Sequence, residues 1–321
     1  MLQHSPLTSS QPVSLWTCQK DALAFQFHQE FPRLFPTQRR FSGTFKTTSL
    51  LLLLLSPSYP IAVASVACGL FWLVLRPRWQ QSQPFARGWY EHRLDANPTA
   101  LDVYAQHESS IRIVDSLYDL FLPSKNKDSV VALVFLPGAL VDARAYAGVC
   151  HKLRQEGNNL AVILLQTDRY RRLMSPFFGL NEHALRDVMK HATNELAQAN
   201  CSVRNWALGG HSLGGLTAQE LLPKMPEISQ LVLWGVNYPR ATPISPTVTE
   251  LVVTASQDGF RFSDPPPSTP EIQRYEIKGG NHGGFGDYPH QTYPRPDGTR
   301  TISLTEQHEQ VARVTAQFLL S

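Results

Sequence analysis

Cysteine is scarce in this chain of 321 residues: there are four, Cys18, Cys68, Cys150 and Cys201, and no two are spaced as CxxC. That pattern indicates neither a disulfide framework nor a zinc site. Charge is also sparse. The formal balance is +3, and no Lys/Arg cluster is interleaved with aromatic residues, so no nucleic-acid partner is expected. The densest basic run, Asp168-Arg169-Tyr170-Arg171-Arg172, reads as a solvated loop. The competing reading is a patch that attracts acidic substrates or lipid headgroups. Acids are almost missing from the start of the chain, where Asp21 and Glu30 are the only two between Met1 and Lys46.

Between Lys46 and Arg76 no residue is charged. Leu50 to Leu55 is unbroken leucine, Ser56-Pro57-Ser58-Tyr59-Pro60 interrupts, and Ile61 to Leu75 is apolar apart from Ser65, Cys68 and Gly69. A span of about 20 apolar residues suffices to cross a bilayer. The expected organisation is a poorly structured extension over 1–47, a transmembrane or signal-anchor segment over 48–76, a polar connector over 77–97 and a globular domain over 98–321. The expected location is a membrane, with a single pass near the N-terminus. Competing readings are a cleaved signal or transit sequence that leads to export or organelle targeting, and a buried core helix. Against the last, Arg76-Pro77-Arg78 stops a helix abruptly. Basic residues flank both sides of the segment, so charge sets no orientation.

Within the globular part, strand patterns alternate with helix patterns. Strands are expected at Ile111–Val114, Tyr118–Leu122, Val130–Leu136, Leu160–Leu165, Trp206–Gly209, Leu231–Val236, Leu251–Ala255 and Ile272–Ile277. Helices are expected at Ala143–Arg154, Asn181–Ala199, Leu213–Leu222 and from about Thr305 to Leu320. Such alternation predicts a mainly parallel central sheet with helices on both faces. No large insertion separates the strands at 231–236 and 251–255, which leaves little material for a lid. The expected walls of an open site are Arg169 to Gly179, with Phe177 and Phe178, and Gly259 to Pro270.

One segment carries most of the chemistry. An apolar stretch, Trp206-Ala207-Leu208-Gly209, runs into Gly210-His211-Ser212-Leu213-Gly214 and then into a helix pattern. A serine at the apex of so sharp a strand-to-helix turn is held in a strained backbone, and glycines two positions before and after it leave room for the close packing. A serine hydroxyl is a poor nucleophile unless a histidine takes its proton and an acid holds that histidine. In chain order, Asp258 follows the strand run 251–255, and His282 follows 272–277 in the loop Gly279-Gly280-Asn281-His282-Gly283-Gly284. Both lie just past strand ends, where functional groups of open parallel sheets gather. The backbone amide of Leu213 is the first expected oxyanion donor. Ala139, after the strand 130–136 and Pro137-Gly138, is the second, with Leu140 as its alternative. His282, Asp287 and His290 share metal-ligand chemistry, but their spacing matches no standard zinc motif and would leave Ser212 unexplained. No metal or other cofactor is expected.

From about Leu101 to the C-terminus the chain resembles the α/β-hydrolase superfamily, and more narrowly the α/β-hydrolase fold-5 type. The residues that carry this are Phe135-Leu136-Pro137-Gly138-Ala139, Leu208-Gly209-Gly210-His211-Ser212-Leu213-Gly214-Gly215, Leu231-Val232-Leu233-Trp234 and Gly279-Gly280-Asn281-His282 with Phe285-Gly286. The resemblance implies a serine hydrolase that uses Ser212, Asp258 and His282 as its triad; the expected substrate is a small acyl molecule, an ester, thioester or lactone, with a lipid-like compound as one option. Two alternatives share the scaffold: acyl transfer to an alcohol with the same residues, and a non-catalytic membrane-anchored interaction protein. The stretch from Asp287 to Pro296 is longer and richer in proline than the family pattern, and it borders His282.

Overall fold

The computed structural model describes residues 93–114, 117–124, 128–166, 181–236, 247–261, 268–293 and 295–321. The expected membrane segment at 48–76, the basic run at 168–172 and the wall at 169–179 lie outside them. Among the described residues no helix is long and apolar enough to cross a membrane.

Eight strands form one sheet: β1 (Ile111–Val114), β2 (Tyr118–Phe121), β3 (Val130–Leu136), β4 (Leu160–Leu165), β5 (Val203–His211), β6 (Ile228–Trp234), β7 (Thr249–Ala255) and β8 (Ile272–Ile277). Their order is β1-β2-β4-β3-β5-β6-β7-β8. From β4 to β8 every neighbouring pair is parallel, while β1 and β2 pair antiparallel with each other and β2 pairs antiparallel with β4. Strand β3 is Val-Val-Ala-Leu-Val-Phe-Leu and is buried along its whole length, as a strand covered on both faces must be.

Because side chains alternate across a strand, β3 feeds two cores. Val130, Ala132, Val134 and Leu136 pack with Leu185, Val188, Met189 and Leu221, which come from helices α3 (Glu182–Gln198) and α4 (Leu213–Leu221). Val131, Leu133 and Phe135 pack on the other side with Val149, Leu153, Val311 and Phe318, from α2 (Ala147–Glu156) and α5 (Leu304–Leu320). Among the described residues, helices therefore cover both faces. Asn181 and Ser303 cap α3 and α5, their side-chain oxygens accepting from Ala184 N and Glu306 N.

Two elements differ from the sequence expectation. Helix α1 (Pro98–Gln106) has no apolar pattern to announce it, because only Ala100 along it is buried. The helical run expected from Ala143 begins instead as a 3₁₀ turn, Ala143–Tyr146, set by the Asp142 side chain accepting from Arg144 N. The segment before α1 is also tied down: Leu94 bridges Val141, and Asn97 N donates to Asp287 O at 2.9 Å.

Two imidazoles are buried beside the α2–α5 face. Burial pushes His151 down to about 4, with the neighbouring His107 ring adding to the effect, and burial likewise pushes His308 down to about 4. Each binds fewer protons folded than unfolded between pH 4 and the ordinary value of 6.5. Stability from these groups is therefore complete above pH 6.5 and lost as pH falls toward 4. Asp119 opposes them: burial raises its carboxyl to about 6, so its contribution grows on acidification. Two groups outweigh one, and the unfolding free energy measured in urea is expected to fall between pH 6.5 and pH 4, with a shallower slope in His308→Gln. A flat profile, or an unchanged slope in the variant, contradicts this assignment.

Candidate active site

Ser212 lies between β5 and α4 with φ 52° and ψ −119°, one of three non-glycine residues with positive φ among those described. Such a conformation costs on the order of 1–3 kcal/mol and persists only where its surroundings impose it. Here Ser212 N–H donates to Trp234 O on β6 at 2.9 Å. The turn is closed by contact as well. A Cβ at Gly214 would overlap the carbonyl oxygens of Leu136 and Pro137, and one at Gly210 would stand 2.5 Å from Gly214 C. The first turn of α4 is thus pressed onto the C-terminal end of β3.

Asp258 and His282 follow β7 and β8, and the structure brings them together. His282 Nδ1 is 2.9 Å from Asp258 Oδ2, and both side chains are nearly inaccessible, at 2% and 5% exposure. The other carboxylate oxygen of Asp258 accepts from Phe260 N at 2.7 Å, so the acid is fixed by its own loop. The His282 ring lies 4.5 Å from the ring of His211 and 4.6 Å from that of Phe260, centroid to centroid. His211 is the residue before Ser212, so the imidazole of His282 stands beside the serine turn.

The loop after β3 bends at Leu140, whose φ is 67°. The Gly138 amide is occupied, donating to Tyr146 Oη at 3.0 Å. The amides of Ala139, Leu140 and Leu213 have no hydrogen-bond acceptor among the described residues. Leu213 directly follows Ser212, and Ala139 and Leu140 belong to the loop whose Gly138 lies against the His211 ring. That arrangement can stabilise negative charge developing on an oxygen held there.

Sequence reasoning missed two supports of this site. Tyr146 is fully buried, and its hydroxyl is 2.7 Å from His211 Nδ1. Burial, reinforced by His282, pushes His211 well below its ordinary value. The Tyr146 hydroxyl shares a hydrogen bond with Nδ1 and accepts from Gly138 N–H. Tyr146 thus links the loop after β3 to the strand that carries Ser212. Gln307 on α5 is the second: its side chain accepts from Asn281 N at 3.2 Å and donates to Asn281 O at 2.8 Å, holding the residue before His282. Neither belongs to a local pattern, because each acts across more than 20 residues. Asp287, one member of the His282–Asp287–His290 cluster, spends its carboxylate on Asn97 Nδ2 at 2.8 Å and on the Thr99 hydroxyl. Among the described residues no group of three or more His, Cys, Asp or Glu could hold a metal ion.

The strain at Ser212 is measurable. Glycine adopts positive φ freely, so Ser212→Gly is expected to raise the urea midpoint, by up to about 1–2 kcal/mol of unfolding free energy. A midpoint below the parent's contradicts a strained turn.

No curated protein matches the chain. Among solved structures, the chain is similar to the serine hydrolase FphF of Staphylococcus aureus (12% identity, 66% of this chain and 96% of that one, TM-score 0.41). It is also similar to an esterase of Pyrobaculum calidifontis (13% identity, 63% and 79%, TM-score 0.41). A third is the esterase domain of a Rhodothermus marinus protein (12% identity, 62% and 90%, TM-score 0.38). The model of the alpha/beta hydrolase family matches residues 132–309, more than half of the 321. That span runs from β3 through Ser212, Asp258 and His282 into α5, and the chain belongs to the alpha/beta hydrolase family.

Proposed function

We propose that the protein is a serine hydrolase that cleaves an ester, thioester or lactone through an acyl-enzyme intermediate. The observation that supports this best is the buried Asp258–His282 pair at 2.9 Å beside a serine held at φ 52°. On this reading His282 removes the proton from Ser212 Oγ as the oxygen attacks the substrate carbonyl. Asp258 keeps Nδ1–H of the imidazole engaged and so leaves Nε2 as the base. The amides of Leu213 and Ala139 stabilise the oxyanion, with Leu140 adjoining them. Collapse of the tetrahedral intermediate expels the alcohol or thiol, which takes its proton from the imidazolium. Water, activated by the same imidazole, then attacks the acyl-serine and releases the acid. Every proton taken is returned, and no cofactor enters the scheme.

The apolar, charge-free run from Thr47 to Leu75 supports a second proposal, attachment to a membrane, with a lipid-like acyl substrate as its natural counterpart. The full-length chain is then expected to stay in the membrane pellet through an alkaline carbonate wash, whereas release into the supernatant contradicts the anchor.

Ser212→Ala and His282→Ala are each expected to lower kcat on a p-nitrophenyl ester on the order of a thousandfold or more while urea unfolding stays cooperative. Activity that survives either change in a folded variant contradicts the assignment.

A further inference from the structure

Directly after the Pro- and Arg-containing stretch that departs from the family pattern, Asp287 to Pro296, stands Asp297, a residue that the mechanism above does not use. Its side chain is 7% exposed, and all the hydrogen bonds it accepts come from backbone amides. Oδ1 accepts from Gly259 N at 3.0 Å, from His282 N at 3.2 Å and from Gly298 N at 2.7 Å. Oδ2 accepts from Gly283 N at 2.7 Å. Gly259 follows Asp258 directly, so one carboxylate spans the loop after β7, which carries the acid, and the loop after β8, which carries the base. Among the described residues no Lys or Arg side chain pairs with it.

The backbone around it is built for this approach. Asp297 N–H donates to Gln291 O at 2.9 Å. A Cβ at Gly298 would overlap the carbonyl oxygen of Gln257, and one at Gly259 would stand 2.7 Å from Asp297 Cα. Asn281 Nδ2 donates to Gly298 O at 2.8 Å. The 296–298 segment is therefore wedged against both loops, with the carboxylate at the junction.

We propose that Asp297 is a positioning residue for the acid–base pair, its carboxylate setting the Asp258–His282 register by binding the amides of Gly259, His282 and Gly283 together. The inference rests on the reading of His282 as base and Asp258 as its orienting acid. A carboxylate is an acceptor on both oxygens, whereas an amide presents a donor on one side. In Asp297→Asn, an NH2 group must face at least one backbone N–H. Asp297→Glu keeps both oxygens but carries them one methylene farther. Neither variant touches the reacting atoms, so both act through the placement of the imidazole, where about 1 Å decides large factors in rate.

The test uses the full-length chain with a p-nitrophenyl ester as probe. In Asp297→Asn, and to a smaller degree in Asp297→Glu, kcat per folded molecule is expected to fall about 10- to 100-fold with KM held within about twofold. The low-field N–H proton resonance of the Asp258–His282 pair is expected to broaden or vanish, a signature that a loss of stability alone does not move in the folded fraction. A parent-like kcat and an unchanged resonance in either folded variant overturn the proposal. If neither variant folds, amide exchange in the parent decides: protected amides at Gly259, His282 and Gly283 support the clamp, and exchange as fast as in exposed loops overturns it. His282→Ala separates the two levels. An inactive His282→Ala beside a parent-like Asp297→Asn removes only the role of Asp297, and an active His282→Ala removes the base assignment with it.

Discussion

The packing of Gly214 against the carbonyl ends of Leu136 and Pro137 is the contact on which the site depends. It brings the first turn of α4 onto the end of β3, and no side chain fits between them. The chain must therefore reverse within a single residue after β5. Ser212 takes that position at φ 52°, tied by its amide to Trp234 on the next strand. The same approach brings the start of the loop after β3, Pro137, against the first turn of α4. The strained backbone at Ser212 thus follows from one steric fact, and the proposed nucleophile role builds on it.

The parallel sheet does the rest by geometry. Neighbouring parallel strands end on the same side, so the loops after β3, β5, β7 and β8 meet at one edge. Loops alone would leave these groups mobile, and the structure counters this with buried polar ties that cross the chain. Tyr146 joins the loop after β3 to His211, Gln307 holds Asn281 from α5, and the Asp297 carboxylate gathers the amides of Gly259, His282 and Gly283 around the Asp258–His282 pair. Each tie satisfies groups that would be costly to bury unpaired.

Much of this was legible in the residues because the strongest signals are local. The seven apolar residues of β3 and the alternating strand and helix periods specify a doubly covered parallel sheet, and the strands formed within a few residues of expectation. Gly210-x-Ser212-x-Gly214 specified its turn for a steric reason that needs no partner. Asp258 and His282 were readable from chain order and from their places after strands. Helix α1 was not, since it buries only Ala100 and shows almost no apolar stripe; its one signal was Asn97-Pro98, a helix-start pair. Nor were Tyr146, Gln307 and Asp297, whose roles exist only once distant segments are folded together. Asp297 in Pro296-Asp297-Gly298 reads locally as a turn aspartate.

The central claim is that Ser212 carries the acyl group during turnover. It is tested most directly by rapid acid quench of the full-length chain with a p-nitrophenyl ester, followed by mass spectrometry of its peptides. The account predicts the mass of the acyl group on the peptide containing Ser212, and its absence in His282→Ala. Turnover with no acylated peptide, or with the acyl group on another residue, would contradict it.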